Sequence, residues 1–87
     1  SFRYLALLVE YKLVDLIFNK KNIRKIWGET ICTNKRILKI HSFLGFKIEG
    51  IYKKHIKIKN KYEDVILTSL FKNDWNMSKK KILSKLV

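Results

Sequence analysis

The sequence is short of the residues that mark disulfide-bonded, zinc-binding and phosphate-loop proteins. Cys32 is its single cysteine, so the chain can form neither an internal disulfide nor a zinc site built from cysteines. Its three glycines, Gly28, Gly45 and Gly50, form no GxGxxG motif, and it has no proline to mark a linker. An isolated thiol suits a reducing compartment, so we expect a cytoplasmic protein.

Long apolar runs are also missing. No stretch approaches the roughly 20 apolar residues that span a bilayer, and the first helical pattern is interrupted by Glu10, Lys12 and Asp15. No segment of the secretory type opens the chain. Neither a membrane partner nor secretion is therefore expected. The first residue is Ser1 rather than Met, which suggests a piece of a longer protein.

Acidic residues are scarce, since 7 Asp and Glu accompany 20 Lys and Arg and the formal charge is +13. A basic excess of this size is typical of nucleic-acid-binding surfaces. Here, however, the basic residues are spread along the chain and form no single stripe, and the main concentrations are expected at residues 20–25 and 79–81. Abundant Lys, Asn and Ile are common in proteins encoded by AT-rich genomes, and we favour that compositional explanation. Nucleic acid is therefore not expected as a partner, and a basic RNA- or ribosome-binding module without activity stays the alternative.

Apolar periodicity predicts one small domain with the order helix, strand, helix, strand, strand. The predicted elements are a helix over residues 2–19, a strand over 25–33, a helix over 34–44, and strands over 46–58 and 62–72. The last strand carries apolar residues on both faces, which predicts a central position in the sheet. The expected sheet order is 25–33, 62–72, 46–58, with antiparallel neighbours.

Local signals mark the ends of several elements. Asn34 is a candidate N-cap of the second helix, and Gly45 can adopt the left-handed conformation that ends it. Asn60 tolerates positive φ and predicts a hairpin turn between the last two strands. Gly28 could mark a bulge in the first strand.

The most informative run is residues 34–50, which read NKRILKIHSFLGFKIEG. An Asn starts a short amphipathic helix, a His stands near its end, and LGF and EG follow. The phrase continues to Trp75 as IYKKHIKIKNKYEDVILTSLFKNDW. Together these segments resemble the acetyl-CoA site of the GNAT acetyltransferases. The similarity is strongest to the UDP-amino-sugar N-acetyltransferases of the pseudaminic acid pathway and to the Rim-type protein N-acetyltransferases.

The resemblance implies a mixed α/β fold equivalent to the C-terminal half of a GNAT domain, with the N-terminal half absent. Residues 1–75 would form the partial domain, and residues 76–87 a tail that could form a short helix from Ser78. The helices over 2–19 and 34–44 would lie on opposite faces of the sheet.

The resemblance further implies an N-acetyltransferase that uses acetyl-CoA as its co-substrate. The implied acceptor is the 4-amino group of a UDP-linked sugar, and a protein N-terminus or a ribosomal protein is the alternative. A homodimer is compatible with these families. The chain alone is expected to be inactive, because the phosphate loop and one strand of the acetyl-CoA site would precede Ser1.

The same resemblance assigns residues to the site. His41 would be the general acid that protonates the CoA thiolate, at a position where many relatives carry Tyr. The residues implied in acetyl-CoA binding are Ser1, Thr33, Asn34, Arg36, Ile37 and Ile40.

Structural explanations stay open for these residues. Asn34 is also an ordinary N-cap, Ile40 is also a core position, and a His on an apolar helix face is often structural. Asp64 follows the hairpin turn and is interpreted as structural, while Trp75 is expected to pack the end of the last strand against the sheet. The two histidines lie 14 positions apart with no Cys or carboxylate at ligand spacing, so no metal site is predicted.

Overall fold

The computed structural model describes residues 2–20 and 22–86 and arranges them in six elements. The elements are α1 (Phe2–Lys20), β1 (Lys25–Ile31), α2 (Lys35–Leu44), β2 (Lys47–Ile58), β3 (Lys61–Phe71) and α3 (Lys72–Leu86). The order therefore agrees with the prediction, apart from the third helix. No helix within the described ranges combines the length and the apolar character that crossing a bilayer requires.

The sheet has three antiparallel strands in the order β1-β3-β2, which confirms the predicted order. β3 is central because it contributes buried side chains to the sheet, among them Val65, Thr68 and Leu70. The predicted bulge at Gly28 is wrong, since this residue pairs with Thr68 in an unbroken register. The irregularities lie in β2 instead, between Ile48 and Gly50 and between Tyr52 and Ile56.

Residues with positive φ end α2 and form the hairpin turn where the sequence predicts them. Gly45 has φ 104°, and its N–H donates to the carbonyl oxygen of Ser42 at 3.1 Å, which ends α2. Lys59 and Asn60 have φ values of 50° and 65°. Two consecutive positive φ values are characteristic of a type I′ turn, whose twist matches that of the two strands it joins. The predicted hairpin is therefore confirmed.

All three helices pack together on one face of the sheet. A single cluster of buried residues joins them to Leu70 of β3, and Ile26 of β1 packs against it. Its helical members are Tyr11, Val14 and Phe18 from α1, Ile40 and Leu44 from α2, and Trp75, Ile82 and Leu86 from α3. The expectation that the first two helices lie on opposite faces is therefore wrong. Their apolar faces cover each other as well as the sheet.

The C-terminal residues form a docked helix rather than a tail. α3 begins at Lys72, six residues before the expected start at Ser78, so the predicted boundary between residues 75 and 76 falls inside it. Trp75 lies in its first turn and is fully buried. The Trp75 ring packs against Tyr11 of α1, with 4.9 Å between the ring centroids, and belongs to the same buried cluster as Leu70 near the end of β3.

Polar contacts complete the joint between α1 and α3. The carboxylate of Asp15 accepts a hydrogen bond from the indole Nε1 of Trp75 at 2.9 Å and from Nζ of Lys79 at 3.3 Å. The hydroxyl of Tyr11 donates to the backbone carbonyl oxygen of Lys79 at 3.2 Å, and burial raises the pKa of this tyrosine. The indole N–H thus has a partner although the ring is buried.

We expect Asp15→Ala to lower the free energy of unfolding by about 1–3 kcal/mol, because the buried indole N–H of Trp75 loses its acceptor. Lys79→Ala removes only a partly exposed ion pair and should cost less than about 1 kcal/mol. Chemical denaturation of both variants is combined with that of Trp75→Phe and of the double variant Asp15→Ala with Trp75→Phe. The resulting double-mutant cycle measures the coupling between Asp15 and Trp75. An equal loss from Lys79→Ala would show that the ion pair, not the indole hydrogen bond, joins the helices.

Candidate active site

A cleft of about 570 Å³ opens between α1 and α2. The α1 wall consists of Leu5, Ala6, Val9 and Glu10, and the α2 wall consists of Asn34, Arg36, Ile37 and Ile40. Four of the six residues that the sequence implies in cofactor binding therefore share one cleft. The α1 wall comes from the N-terminal half of its helix, whereas the buried α1 residues Tyr11, Val14 and Phe18 follow it along the chain.

The N-terminal end of α2 contributes positive charge to one wall of this cleft, and Glu10 contributes a carboxylate to the α1 wall. Unsatisfied backbone N–H groups at a helix N-terminus carry partial positive charge, and neither helix has an acidic residue in its first turn. Arg36 adds an exposed guanidinium. The walls themselves are mostly aliphatic. An extended ligand that is apolar along its length and anionic at one end matches this arrangement.

Asn34 connects β1 to α2 and caps the helix. Its side-chain Oδ1 accepts from the backbone N–H of Ile37 at 3.3 Å, and its own backbone N–H donates to the carbonyl oxygen of Ile31 at 3.0 Å. The N-cap prediction is thus confirmed. Within the described ranges, the side-chain amide nitrogen makes no hydrogen bond. Asn34 can therefore cap the helix with one atom and present a donor to the cleft with the other.

The remaining implied contacts differ in position. Ile37 is half-buried, whereas Ile40 is 7% exposed and belongs to both the cleft wall and the core. Thr33 is exposed and does not line the cleft. Ser1 lies outside the described residues, so its assignment stays a prediction.

His41 lies one turn after Ile37 but does not line the cleft. Its ring stacks on Phe46 with 4.6 Å between centroids, and its Nδ1 is buried without a hydrogen-bond partner in the described part of the chain. Burial lowers the pKa of His41, and the nearby carboxylate of Glu10 opposes that shift only in part. The imidazole is therefore neutral at pH 7.

Glu10 is a cleft residue that the sequence analysis treated only as an interruption of an apolar helix. It lies on the α1 wall and acts electrostatically on His41 across to α2. The sign in the sequence that Glu10 lines a cleft was its place among apolar residues, since a carboxylate on a mostly apolar helix lies at an edge or in a cleft. The periodicity of α1 alone does not distinguish these two positions.

Two acidic residues of the sheet, Asp64 and Glu49, make structural contacts. Asp64 accepts from the backbone N–H of Lys54 at 2.8 Å and lies 3.6 Å from Nζ of Lys53, and the backbone hydrogen bond chiefly lowers its pKa. Glu49 accepts from the hydroxyl of Ser69 and pairs with Lys25 at 2.9 Å, and these contacts lower its pKa. Among residues 2–20 and 22–86, no three His, Cys, Asp or Glu side chains form a group that could hold a metal ion.

Comparison with solved structures identifies the fold. A GCN5-related N-acetyltransferase from Brucella melitensis superposes with a TM-score of 0.85 at 22% identity, over 100% of this chain and 39% of that chain. The spermidine/spermine N-acetyltransferase SpeG from Vibrio cholerae, in mutant forms, gives 0.77 at 20% identity over 84% of this chain and 44% of its own. The same spermidine N-acetyltransferase in complex with CoA and spermine gives 0.76 at 21% identity, over 82% of this chain and 42% of its own.

The chain thus spans about two fifths of the length of the solved structures it matches. No curated protein gave a significant match. The family model of the acetyltransferase (GNAT) domain matches residues 8–67, which is more than half of the chain and includes most of α1, all of α2 and the greater part of the sheet. On this match, the chain belongs to the GNAT acetyltransferase family.

Proposed function

We propose that this chain is the C-terminal part of an acetyl-CoA-dependent N-acetyltransferase whose co-substrate lies in the cleft between α1 and α2. The observation that carries the proposal is the convergence of Asn34, Arg36, Ile37 and Ile40 on one cleft, since the sequence had implied these four in acetyl-CoA binding. Family membership and a related structure in complex with CoA support it further.

The cleft fits the pantetheine arm of acetyl-CoA. Its aliphatic walls suit the methylene and dimethyl groups of that arm, and the free amide nitrogen of Asn34 can donate to a pantetheine carbonyl oxygen. Arg36 and the N-terminus of α2 suit a phosphate group of the same molecule. Acetyl-CoA supplies the thioester; the chain's own residues bind and orient it.

The proposed reaction is direct acetyl transfer. The neutral amine of the acceptor forms a C–N bond with the thioester carbonyl carbon, the C–S bond breaks, the amine loses a proton to solvent or a base, and the thiolate gains one. We assign the second proton transfer to His41. The proton would come from the imidazolium form of His41, one turn after Ile37 of the cleft wall, and because burial lowers the pKa of His41 this form is a stronger acid but the less populated one at pH 7.

We further propose a UDP-linked amino sugar as the acceptor. The support is the resemblance of residues 34–75 to that subfamily and the charge of the chain, +13, which attracts an anionic diphosphate. The same charge disfavours a polycation such as the spermine bound by the Vibrio enzyme. A Rim-type protein acceptor stays the second candidate.

The test is acetyl transfer by the complete protein that contains this chain, measured as release of free CoA thiol. We expect the highest kcat/KM with a UDP-linked 4-amino sugar, a lower value with a peptide amine, and the lowest with spermine. The 87-residue chain alone should show no turnover, because it spans only about two fifths of related domains. Absence of thiol release with every amine would contradict the proposed function.

Asn34→Ala in the complete protein should weaken acetyl-CoA binding by about 1–3 kcal/mol while leaving acceptor binding unchanged. The physical reason is the loss of the side-chain amide donor at the cleft. Titration calorimetry with each substrate separately measures both effects.

Asn34→Asp is the matched control for helix capping. Aspartate caps a helix as well as asparagine does, but it lacks the amide N–H₂ group. We therefore expect Asn34→Asp to retain the melting temperature and lose acetyl-CoA affinity. If Asn34→Ala lowers the melting temperature and neither variant changes acetyl-CoA affinity, Asn34 is a helix cap only.

His41→Phe should lower kcat by about 10²-fold, the lower end of the range for loss of a general acid, because thiolate is a good leaving group that water can protonate. Both substrates should bind as before. Full turnover in this variant would leave His41 with a structural role only.

The low pKa of His41 also makes folding stability depend on pH. Below its ordinary pKa of 6.5, the unfolded chain binds a proton that the folded chain does not, so stability should fall as the pH decreases from 6.5 toward the folded-state pKa. His41→Phe should flatten this dependence in urea denaturation at several pH values, whereas His55→Gln, on the exposed strand β2, should retain it. An equal pH dependence in His41→Phe would assign the effect to another group.

A further inference from the structure

The far end of the β2–β3 hairpin, residues 52–62, is a lysine-rich surface that does not line the cleft between α1 and α2. These residues, which we name the lysine hairpin, read YKKHIKIKNKY and include five lysines and no acidic residue. Every one of them is exposed. In sequence they form an alternating strand pattern, and only the pairing of β2 with β3 places them side by side.

The lysine hairpin is a two-stranded ribbon that extends past the rest of the sheet. β1 ends at Ile31, opposite Val65, and the backbone N–H of Cys32 makes the next contact with the carbonyl oxygen of Asp64 at 2.9 Å. Pairing then continues between β2 and β3 as far as Ile58 and Lys61. The type I′ turn at one end and the Asp64 contact to the Lys54 backbone at the other hold its conformation.

The positive charge of the ribbon is only partly balanced. Lys61 lies 3.6 Å from Glu63 beside the turn, and Lys53 lies 3.6 Å from Asp64 at the base of the ribbon. For Lys54, Lys57 and Lys59, the described residues include no acidic partner within ion-pair distance. These three ammonium groups are therefore available to an anionic ligand.

Aromatic rings lie between these lysines. Tyr62 is 57% exposed, and Nζ of Lys57 lies 5.7 Å from its ring centroid. Tyr52 is also exposed, and its ring lies 5.0 Å from that of His55. Tyr52 and Tyr62 do not belong to the buried cluster. Their rings therefore leave apolar area in water without stabilising the core.

We propose that the lysine hairpin binds single-stranded nucleic acid. Clustered ammonium groups neutralise phosphates, and exposed tyrosines offer faces on which unpaired bases stack, a combination typical of single-strand binding. An acidic protein would use the lysines but has no equivalent use for the rings. The proposal departs from the sequence expectation because the pairing of β2 with β3 leaves this lysine-rich run exposed and places Tyr62 opposite Lys57.

The test is fluorescence anisotropy of a labelled oligouridine of about 12 nucleotides with the full chain, over a series of salt concentrations. Variant one combines Lys54→Asn, Lys57→Gln and Lys59→Asn; asparagine is chosen where φ is positive because it tolerates that conformation. We expect roughly 10- to 100-fold weaker binding at low salt and a log–log salt slope that is smaller by about 2, since each phosphate contact on a single strand contributes about 0.7.

The matched control is Lys80→Gln, Lys81→Gln and Lys85→Gln, which removes the same charge from exposed positions of α3. It should retain the affinity and the salt slope. Tyr62→Leu should weaken binding about fivefold or more with an unchanged slope, because stacking is lost but no phosphate contact. Circular dichroism of each variant verifies that the fold is retained.

Three results would overturn the proposal. Equal losses in the two triple variants would show that only net charge matters. Competition by polyglutamate as effective as by unlabelled oligouridine would indicate an acidic protein as the partner. Tighter binding of a duplex than of the single strand would exclude base stacking as a source of affinity.

Discussion

Burial of three large side chains, Phe18, Leu44 and Trp75, holds the helical face of this structure together. Each comes from a different helix and none is accessible to solvent. Burial of each such side chain contributes about 1.5–3 kcal/mol through removal of apolar area from water. Loss of all three would therefore remove a large part of the free energy of unfolding of a small domain. The cleft depends on this core, because α1 and α2 contribute to both and Ile40 belongs to the cleft wall as well as to the buried cluster.

Local chemistry in the sequence was sufficient to predict several elements. Asn34 and Gly45 mark the two ends of α2 because each satisfies backbone groups that a helix leaves unpaired. Asn60 indicated the hairpin, and the two-sided apolar pattern of β3 indicated its central position. The residues of the α2 cleft wall came from the resemblance to a family, not from periodicity. That resemblance also included Thr33, which the fold places outside the cleft.

The remaining features depend on contacts between distant segments. A wide apolar stripe shows that α1 is covered but not by which element, and this is why its packing beside α2 was not predicted. The start of α3 was missed because Lys72, Asn73 and Asp74 are polar and follow a strand without a break. The buried position of Trp75 depends on Asp15, 60 residues earlier in the sequence. Glu10 became a cleft residue only once α2 lay opposite it.

The part of the hairpin beyond Asp64 can change in sequence and length more freely than the rest of the sheet. Its two strands pair only with each other there, so its length and charge can change without disturbing the buried cluster. Successive side chains of a strand point to opposite faces, and an insertion of a single residue would exchange those faces. Between Tyr52 and Ile56, β2 carries two more residues than β3, an even number that keeps the alternation of faces. Growth or loss of this ribbon should therefore occur in even numbers of residues. Related chains that differ in this way could then vary in what they bind while the buried cluster stays unchanged.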